Sequence, residues 1–438
     1  MSRLLTRRSA LIGSLALAGA ASLAACGSGS GGSGSGGSGS GDGNTLKVWC
    51  WDPAFNIYAM KEAEKVYKKD HPDFTLEIIE TVWDDVQQKL TTLAQSQDFD
   101  QLPDIFLMQN MAGQKNIVNY PDIFGDFTDS GIDFSQFPES VTNYFNYDGV
   151  QYGLPFDSGT AIGAWRTDFL EQAGYTIADL TDVPWSRFIE IGKDVKSKIG
   201  KPMLSGQAGA SDLIMMMIQS AGSSLFNDDG TVHISDNDVL HKAVGIYKQL
   251  VDEGILIEVN SWDEYIGSFT GEQVVGTIQG VWISGSIQTA TEQSGKWAVT
   301  NVPSVDGVPG ATNYTANGGS SWVISSNANA ELAADFLKST FAGSTEFYDT
   351  ILPSSGAVAN WIPAGKSDVY NEPVEFYGGQ AVYADVVAFG AKVPSVNTGV
   401  YYYEGRDAVS AAITQVVGGA DLATALKDAS DTTEFAMG

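Results

Sequence analysis

The chain reads as an α/β protein, on three observations: strand and helix patterns alternate from residue 46 onward, 438 residues exceed what one hydrophobic core usually serves, and 43% of them are apolar. The alternation is clearest at its start. Residues 46–51 carry a strand pattern. Over 57–69, Tyr58, Met60, Ala63, Val66 and Tyr67 recur at helical spacing and share one face. A strand at 75–79 follows, then a helix at 84–96 with Val86, Leu90, Leu93 and Ala94 on one side, then a strand at 103–108. Strand, helix, strand, helix, strand requires parallel pairing with right-handed crossovers. Open sheets of that kind bind ligands beyond the carboxyl ends of their strands. Those ends here are Trp51-Asp52-Pro53, Val82-Trp83-Asp84 and Gln109-Asn110, and an aromatic beside a polar group recurs at two of the three.

Further along, residues 148–157 read as a hairpin leading into a strand, and 168–290 as a mixed, largely helical region in which Trp185 begins a helix. Met215-Met216-Met217-Ile218 reads as a buried helical run, with methionine as core filler rather than a cofactor site. A short strand at 277–282 precedes a Gly/Ser turn, Ser284-Gly285-Ser286, and a helix. Another strand is expected at 321–324, and helices at 330–341, 407–417 and 422–429. No internal repeat of solenoid length is present.

The N-terminus reads as an address. Arg3, Arg7 and Arg8 precede an apolar run at 10–25 that is short for a membrane span, so residues 1–25 have the layout of a secretory signal peptide. Thr6-Arg7-Arg8-Ser9 faintly resembles a twin-arginine signal, and Sec and twin-arginine export both stay open. The run ends at Leu23-Ala24-Ala25-Cys26-Gly27, which resembles a bacterial lipobox, in which the cysteine becomes the first mature residue and carries lipid. The alternative is an ordinary cleavage site with a chance cysteine. Residues 27–41 are only glycine and serine, a flexible coil with a root-mean-square reach of ~20 Å. A lipid on Cys26 followed by a Gly/Ser tether over 26–43 accounts for both features. Cys50 is then the one remaining thiol and reads as a small buried apolar residue.

Composition narrows the function. With 24 basic and 53 acidic side chains the net charge is −29, and losing Arg3, Arg7 and Arg8 takes it to −32, which argues against nucleic acid and anionic lipid as ligands. Three histidines and two cysteines all but exclude a Cys/His zinc site or an iron–sulfur cluster, and no cofactor is expected.

At this point the order of segments resembles a known family, the extracellular solute-binding proteins of bacterial ABC sugar importers, the class that contains maltose-binding protein. The matching pieces are Trp49-Cys50-Trp51-Asp52, Leu102-Pro103-Asp104-Ile105, Tyr152-Gly153-Leu154-Pro155-Phe156-Asp157, the stretch 271–282, Gly318-Gly319-Ser320-Ser321-Trp322-Val323-Ile324 and Ala425-Leu426-Lys427-Asp428-Ala429. Val274-Val275-Gly276 departs from the smaller Ala and the Met usual there, which bears on packing and not on function. The resemblance implies a two-lobed periplasmic-binding-protein fold with a ligand cleft at the hinge. It implies one lobe from 44–157 plus about 320–354 and another from about 158–319 plus 355–438, with chain crossings near 157–160, 317–320 and 353–356. It further implies an oligosaccharide ligand, the transmembrane subunits of an ABC permease as partner, a monomer, no nucleic acid, and the membrane reached only through Cys26, on the extracellular face of the cell.

A pyranose presents an apolar C–H face and a rim of hydroxyls, so it calls for an aromatic plate beneath and carboxylates or amides at its edge. Trp165, Trp185, Trp297 and Trp322 sit inside strand or helix patterns and read as core. Trp51, Trp83, Trp262, Trp282 and Trp361 lie at element ends or in loops. For each of these, burial competes with stacking. The resemblance singles out Trp282, because the family's stacking tryptophan follows the same apolar-Gly-apolar turn, and Tyr401-Tyr402-Tyr403, of which Tyr402 and Tyr403 are taken as ligand residues beside Glu404. Asp52, Asn110, Asp157 and Glu404 are the polar candidates, with Gln207 and Asp212 from the larger lobe and Gly318 and Gly319 at the hinge; helix caps and solvated acids are the plain alternatives. Two other readings stay open: a carboxylate-dependent glycoside hydrolase, which needs two acids about 5 Å apart, and a tethered sugar sensor or adhesin. Peptide, polyamine and metal ligands fit less well.

Overall fold

A computed structural model describes residues 43–438. The leader, Cys26 and nearly all of the Gly/Ser tether therefore lie outside the described residues. In chain order the strands are β1 (Thr45–Cys50), β2 (Thr75–Glu80), β3 (Ile105–Gln109), β4 (Asn146–Tyr147), β5 (Val150–Gln151), β6 (Leu154–Asp157), β7 (Ala161–Arg166), β8 (Leu204–Gln207), β9 (Leu256–Val259), β10 (Gly276–Gly280), β11 (Trp297–Thr300) and β12 (Ser320–Ile324). The first sheet is five-stranded, in the order β2-β1-β3-β12-β6. β1 pairs in parallel with both β2 and β3, as the alternation requires, and β12 enters antiparallel between β3 and β6. A second set comprises the three-stranded sheet β10-β7-β11 and the parallel pair β8-β9.

Each sheet is flanked by helices and has its own cores. Trp322, Phe156 and Ile105 are buried on one face of the first sheet, and Phe106, Met108 and Val323 on the other. Cys50 and Trp49 divide between those two faces as period-2 alternation demands. Burial holds the Cys50 thiol protonated, well above its usual range. Trp165 and Trp185 lie in the largest core of the second half, and Trp297 in its neighbour. Trp165, Trp185, Trp297 and Trp322 are each no more than 1% exposed, in keeping with their place inside strand and helix patterns.

Two passages link the sheets. The chain leaves β6 at Asp157 for β7 at Ala161, and returns into β12 at Ser320. The passages run side by side: Thr160 bridges Ala316, and the Asn317 N–H donates to the Gly159 carbonyl at 2.8 Å. Gly159 has φ +65°, and a Cβ there would overlap the Asn317 carbonyl, so only glycine fits. The third exchange, expected at 353–356, is drawn out. Tyr348 and Ile351 of the helix Thr345–Ser355 pack with the first half and Leu352 with the second; beyond it Ala357 and Ala364 pack with the first, Val358 and Tyr370 with the second.

Several boundaries differ from the sequence expectation. Ser284-Gly285-Ser286 is not a turn but the body of the helix Ile283–Gln288. Its residues are small because the helix lies against other backbone: a Cβ on Gly285 would come within 2.9 Å of the Ala54 carbonyl oxygen. The penultimate helix begins at Tyr402 rather than 407, with Glu404 in its first turn, where the helix dipole favours an acid. The last helix runs Leu422–Met437, beyond the expected 429. Helices expected at 57–69 and 330–341 are Asn56–Tyr67 and Ala330–Ser339. Among the described residues no helix is long and apolar enough to cross a membrane.

Candidate functional site: a cleft between two walls

A cleft of about 900 Å³ opens where the carboxyl ends of β1, β2 and β3 face the second set of strands. That is where a parallel sheet exposes free backbone groups and places its loops. One wall holds Trp51 and Asp52 after β1, and Trp83 after β2. The Asp52 carboxylate accepts from the Ala54 and Phe55 N–H groups at 2.8 and 3.1 Å, which fixes its turn, and burial raises its pKa against those bonds. The facing wall holds Gln207 at the end of β8, Asp212 at the start of the helix Asp212–Ser220, Trp262 at the start of the helix Trp262–Thr270, and Trp282 just after β10. The two passages close the back with Asp157, Gly318 and Gly319, both glycines at positive φ.

The aromatic side chains form two groups. Trp51 and Trp83 lie 5.4 Å apart at 54°, and Trp83 lies 6.1 Å from Tyr403. Opposite them, Trp262 lies 5.9 Å from Trp282 at 35°. Trp282 is half-buried and packs against cores of both halves, while its Nε1–H donates to the Asn317 carbonyl at 3.0 Å. It therefore joins a hinge passage to the cleft surface. Trp262 remains 37% exposed.

Twelve of the fifteen sequence-derived ligand candidates line this cleft; Asn110, Trp361 and Glu404 do not. Asn110 is 2% exposed and accepts from the Ser321 hydroxyl at 2.8 Å, while its backbone N–H donates to the Gly319 carbonyl at 2.9 Å; it ties β3 to β12 within the sheet. Trp361 packs against the core of the first half. Glu404 points to Lys115 of the helix Gly113–Asn119 and forms an ion pair with it. That pair and a hydrogen bond from the Tyr403 hydroxyl to Gln109 join the start of the helix Tyr402–Val417 to the first wall. The rest of that helix, through Val409 and Ile413, packs with the second half.

Other cleft residues escaped the sequence reading. Met215 lines the cleft, while its neighbour Met217 is buried in the core. Arg406 brings a cation to a wall otherwise rich in acids, with its guanidinium 4.6 Å over the Tyr403 ring. Its signal was its place three residues after Tyr403 and four after Tyr402, hence on the same helical face. Gln219 and Asn317 add amide groups.

Asp157 is 4% exposed and accepts from the Ser320 hydroxyl at 2.5 Å. Burial outweighs the hydrogen bonds and pushes its pKa up to about 6. A carboxyl whose folded pKa lies above its unfolded value favours folding when protonated. Its contribution is therefore most favourable below about pH 4, falls as pH rises through about 6, and is flat above that. The ligand-free stability of Asp157→Asn relative to wild type is expected to rise by up to about 3 kcal/mol between pH 4 and pH 7, measured by denaturant unfolding at each pH. A difference independent of pH would show that Asp157 is ionised normally.

Aromatic faces on both walls, with carboxylates and amides between them, suit a molecule that has flat apolar faces and a hydroxylated edge. The bacterial extracellular solute-binding protein family model matches residues 62–351. A lactose-binding protein of Rhizobium radiobacter is 38% identical over 385 residues, 88% of this chain and 91% of that protein. The chain belongs to the bacterial extracellular solute-binding proteins. Solved members share the two-lobed α/β fold. The GacH receptor of Streptomyces glaucescens, solved unliganded and with acarbose, superposes with a TM-score of 0.74 at 15% identity, over 90% of this chain and 97% of that one. An ABC-transporter-associated binding protein from B. animalis subsp. lactis, in complex with β-1,6-galactobiose, gives 0.75 at 17%, over 90% and 96%. This solute-binding protein is thus a capture protein rather than an enzyme. Among its described residues no cluster of three or more metal-binding side chains occurs.

Proposed function

We propose that this solute-binding protein captures a short neutral oligosaccharide, a lactose-like disaccharide foremost, and hands it to the transmembrane subunits of an ABC importer. The observation that carries the reading is the cleft itself: tryptophans on facing walls, Asp52, Asp157, Asp212 and Gln207 at their edges, in a chain 38% identical to a lactose-binding protein. Trp51, Trp83, Trp262, Trp282, Tyr402 and Tyr403 serve as plates for the sugar rings, and the acids and amides take the hydroxyls. Residues 44–157 with about 320–354 form one lobe and about 158–319 with 355–438 the other, except that Ala357 and Ala364 pack with the first. The lobes close on the ligand about the two antiparallel passages, since closure is favoured only by contacts present in the closed form. The protein acts as a monomer.

A thermal-shift screen of mono- and disaccharides tests the reading. A ligand at 100-fold its dissociation constant adds ~2.7 kcal/mol to stability. A positive result is a shift with lactose or a related galactoside; no shift with any sugar counts against the proposal.

The mature chain is held at the outer face of the membrane by lipid on Cys26, with the Gly/Ser run as its tether. Cys26→Ala is expected to release the protein into the medium with sugar affinity unchanged, because 15 residues of glycine and serine alone offer no means of coupling the anchor to the fold. Fractionation and titration of the released protein check both halves. Persistence in the membrane fraction would refute the anchor.

A further inference from the structure

A second, smaller cavity of about 50 Å³ lies in the second wall and shares Gln207, Asp212 and Trp262 with the cleft. Those three residues form its mouth. Its floor is apolar, made of Leu204, Met216, Leu256 and Ile278. The hydroxyls around it are already committed: Tyr247 donates to Glu258 at 3.0 Å, Tyr265 pairs with Thr277, and Ser205 pairs with Ser268 at 2.6 Å. At roughly 10–15 Å³ per water-sized group, the chamber holds only a handful of atoms. That is too small for a sugar ring and suits a substituent on one.

We propose that this side chamber receives the acetamido group of an N-acetylated amino sugar, so that the cleft selects acetamido-bearing oligosaccharides over their plain hydroxyl counterparts. The inference rests on the sugar-binding reading and narrows it. An acetamido group is polar where it leaves the ring and apolar at its tip. Its N–H donates to the Asp212 carboxylate, its carbonyl accepts from the Gln207 amide, and its methyl covers the floor. A hydroxymethyl group in the same place would bury its hydroxyl on an apolar floor whose neighbouring hydroxyls are taken, which is costly. A carboxylate substituent would face Asp212 and be repelled.

The test is calorimetric titration of the full protein with two matched pairs: lactose against N-acetyllactosamine, and cellobiose against N,N′-diacetylchitobiose. The acetamido member of at least one pair is expected to bind at least ten-fold tighter. A Gly206→Val variant then fills the chamber from β8. Gly206 has room for a Cβ, whose nearest neighbours would be Leu256 at 3.9 Å and the Tyr247 hydroxyl at 4.0 Å. In that variant the ten-fold preference is expected to fall below three-fold. Plain disaccharides that bind as well as their acetylated partners overturn the chamber while leaving sugar capture intact. So does a preference that survives Gly206→Val. Binding of none of the four sugars overturns the chamber and the sugar-binding reading together. If Gly206→Val does not fold, the matched pairs on the unaltered protein still decide.

Discussion

Trp282→Ala is expected to weaken sugar binding by about 2 kcal/mol or more, roughly thirty-fold, in the range of binding hot spots. The residue presents its ring to the cleft beside Trp262 and spends its Nε1–H on the Asn317 carbonyl, in the passage that must flex when the lobes move. Removing it takes away a stacking plate and loosens the hinge together. From its position after a strand, Trp282 reads as an exposed plate whose loss would cost the ligand-free fold much less than it costs binding. Its packing against cores of both halves adds a stability cost, expected to stay below the ~3–5 kcal/mol of a fully buried tryptophan such as Trp322. Trp282→Phe separates the two roles, because it keeps a plate and discards the hydrogen bond. Isothermal titration and ligand-free melting of both variants give the comparison. Normal affinity in folded Trp282→Ala would place the residue in the scaffold alone.

The second large effect belongs to the hinge. Gly159→Ala is expected to destabilise the ligand-free protein by about 3 kcal/mol or more, because the new Cβ imposes a left-handed backbone on alanine and also overlaps the Asn317 carbonyl. The suitable control is Gly149→Ala in the β4–β5 turn, at φ +79° with nothing within 4 Å of its Cβ. That variant meets only the backbone cost, about 1 kcal/mol. The gap between the two melting shifts measures how tightly the passages are laid together. Equal shifts would mean that the passages are not in contact in solution.

The first sheet was legible because its signals are local. A period of two marks β1, β2 and β3, a period near four marks the helices between them, and their order alone dictates parallel pairing and hence the edge at which Trp51, Asp52 and Trp83 meet the cleft. Asn110 and Glu404 were misplaced for the opposite reason. The groups that claim them, Ser321 and Lys115, lie 211 and 289 residues away in the chain. A polar residue at a strand or helix end reads the same whether it faces a ligand or a neighbouring strand. Ser284-Gly285-Ser286 was misread because small residues mark both turns and close helix packing, and Ala54 is what decides between them. Arg406 was missed because a lone cation near tyrosines carries no motif; only the start of its helix at Tyr402 turns it toward the cleft.

The measurement that bears most directly on sugar capture in this cleft is calorimetric titration of the purified protein with lactose, followed by assay of the same mixture for released reducing sugar. The account predicts one site per chain, a dissociation constant in the micromolar range or tighter, equivalent to about −8 kcal/mol, and lactose recovered intact. Absence of heat up to millimolar lactose and the related disaccharides, or hydrolysis of the sugar by the protein, would contradict it.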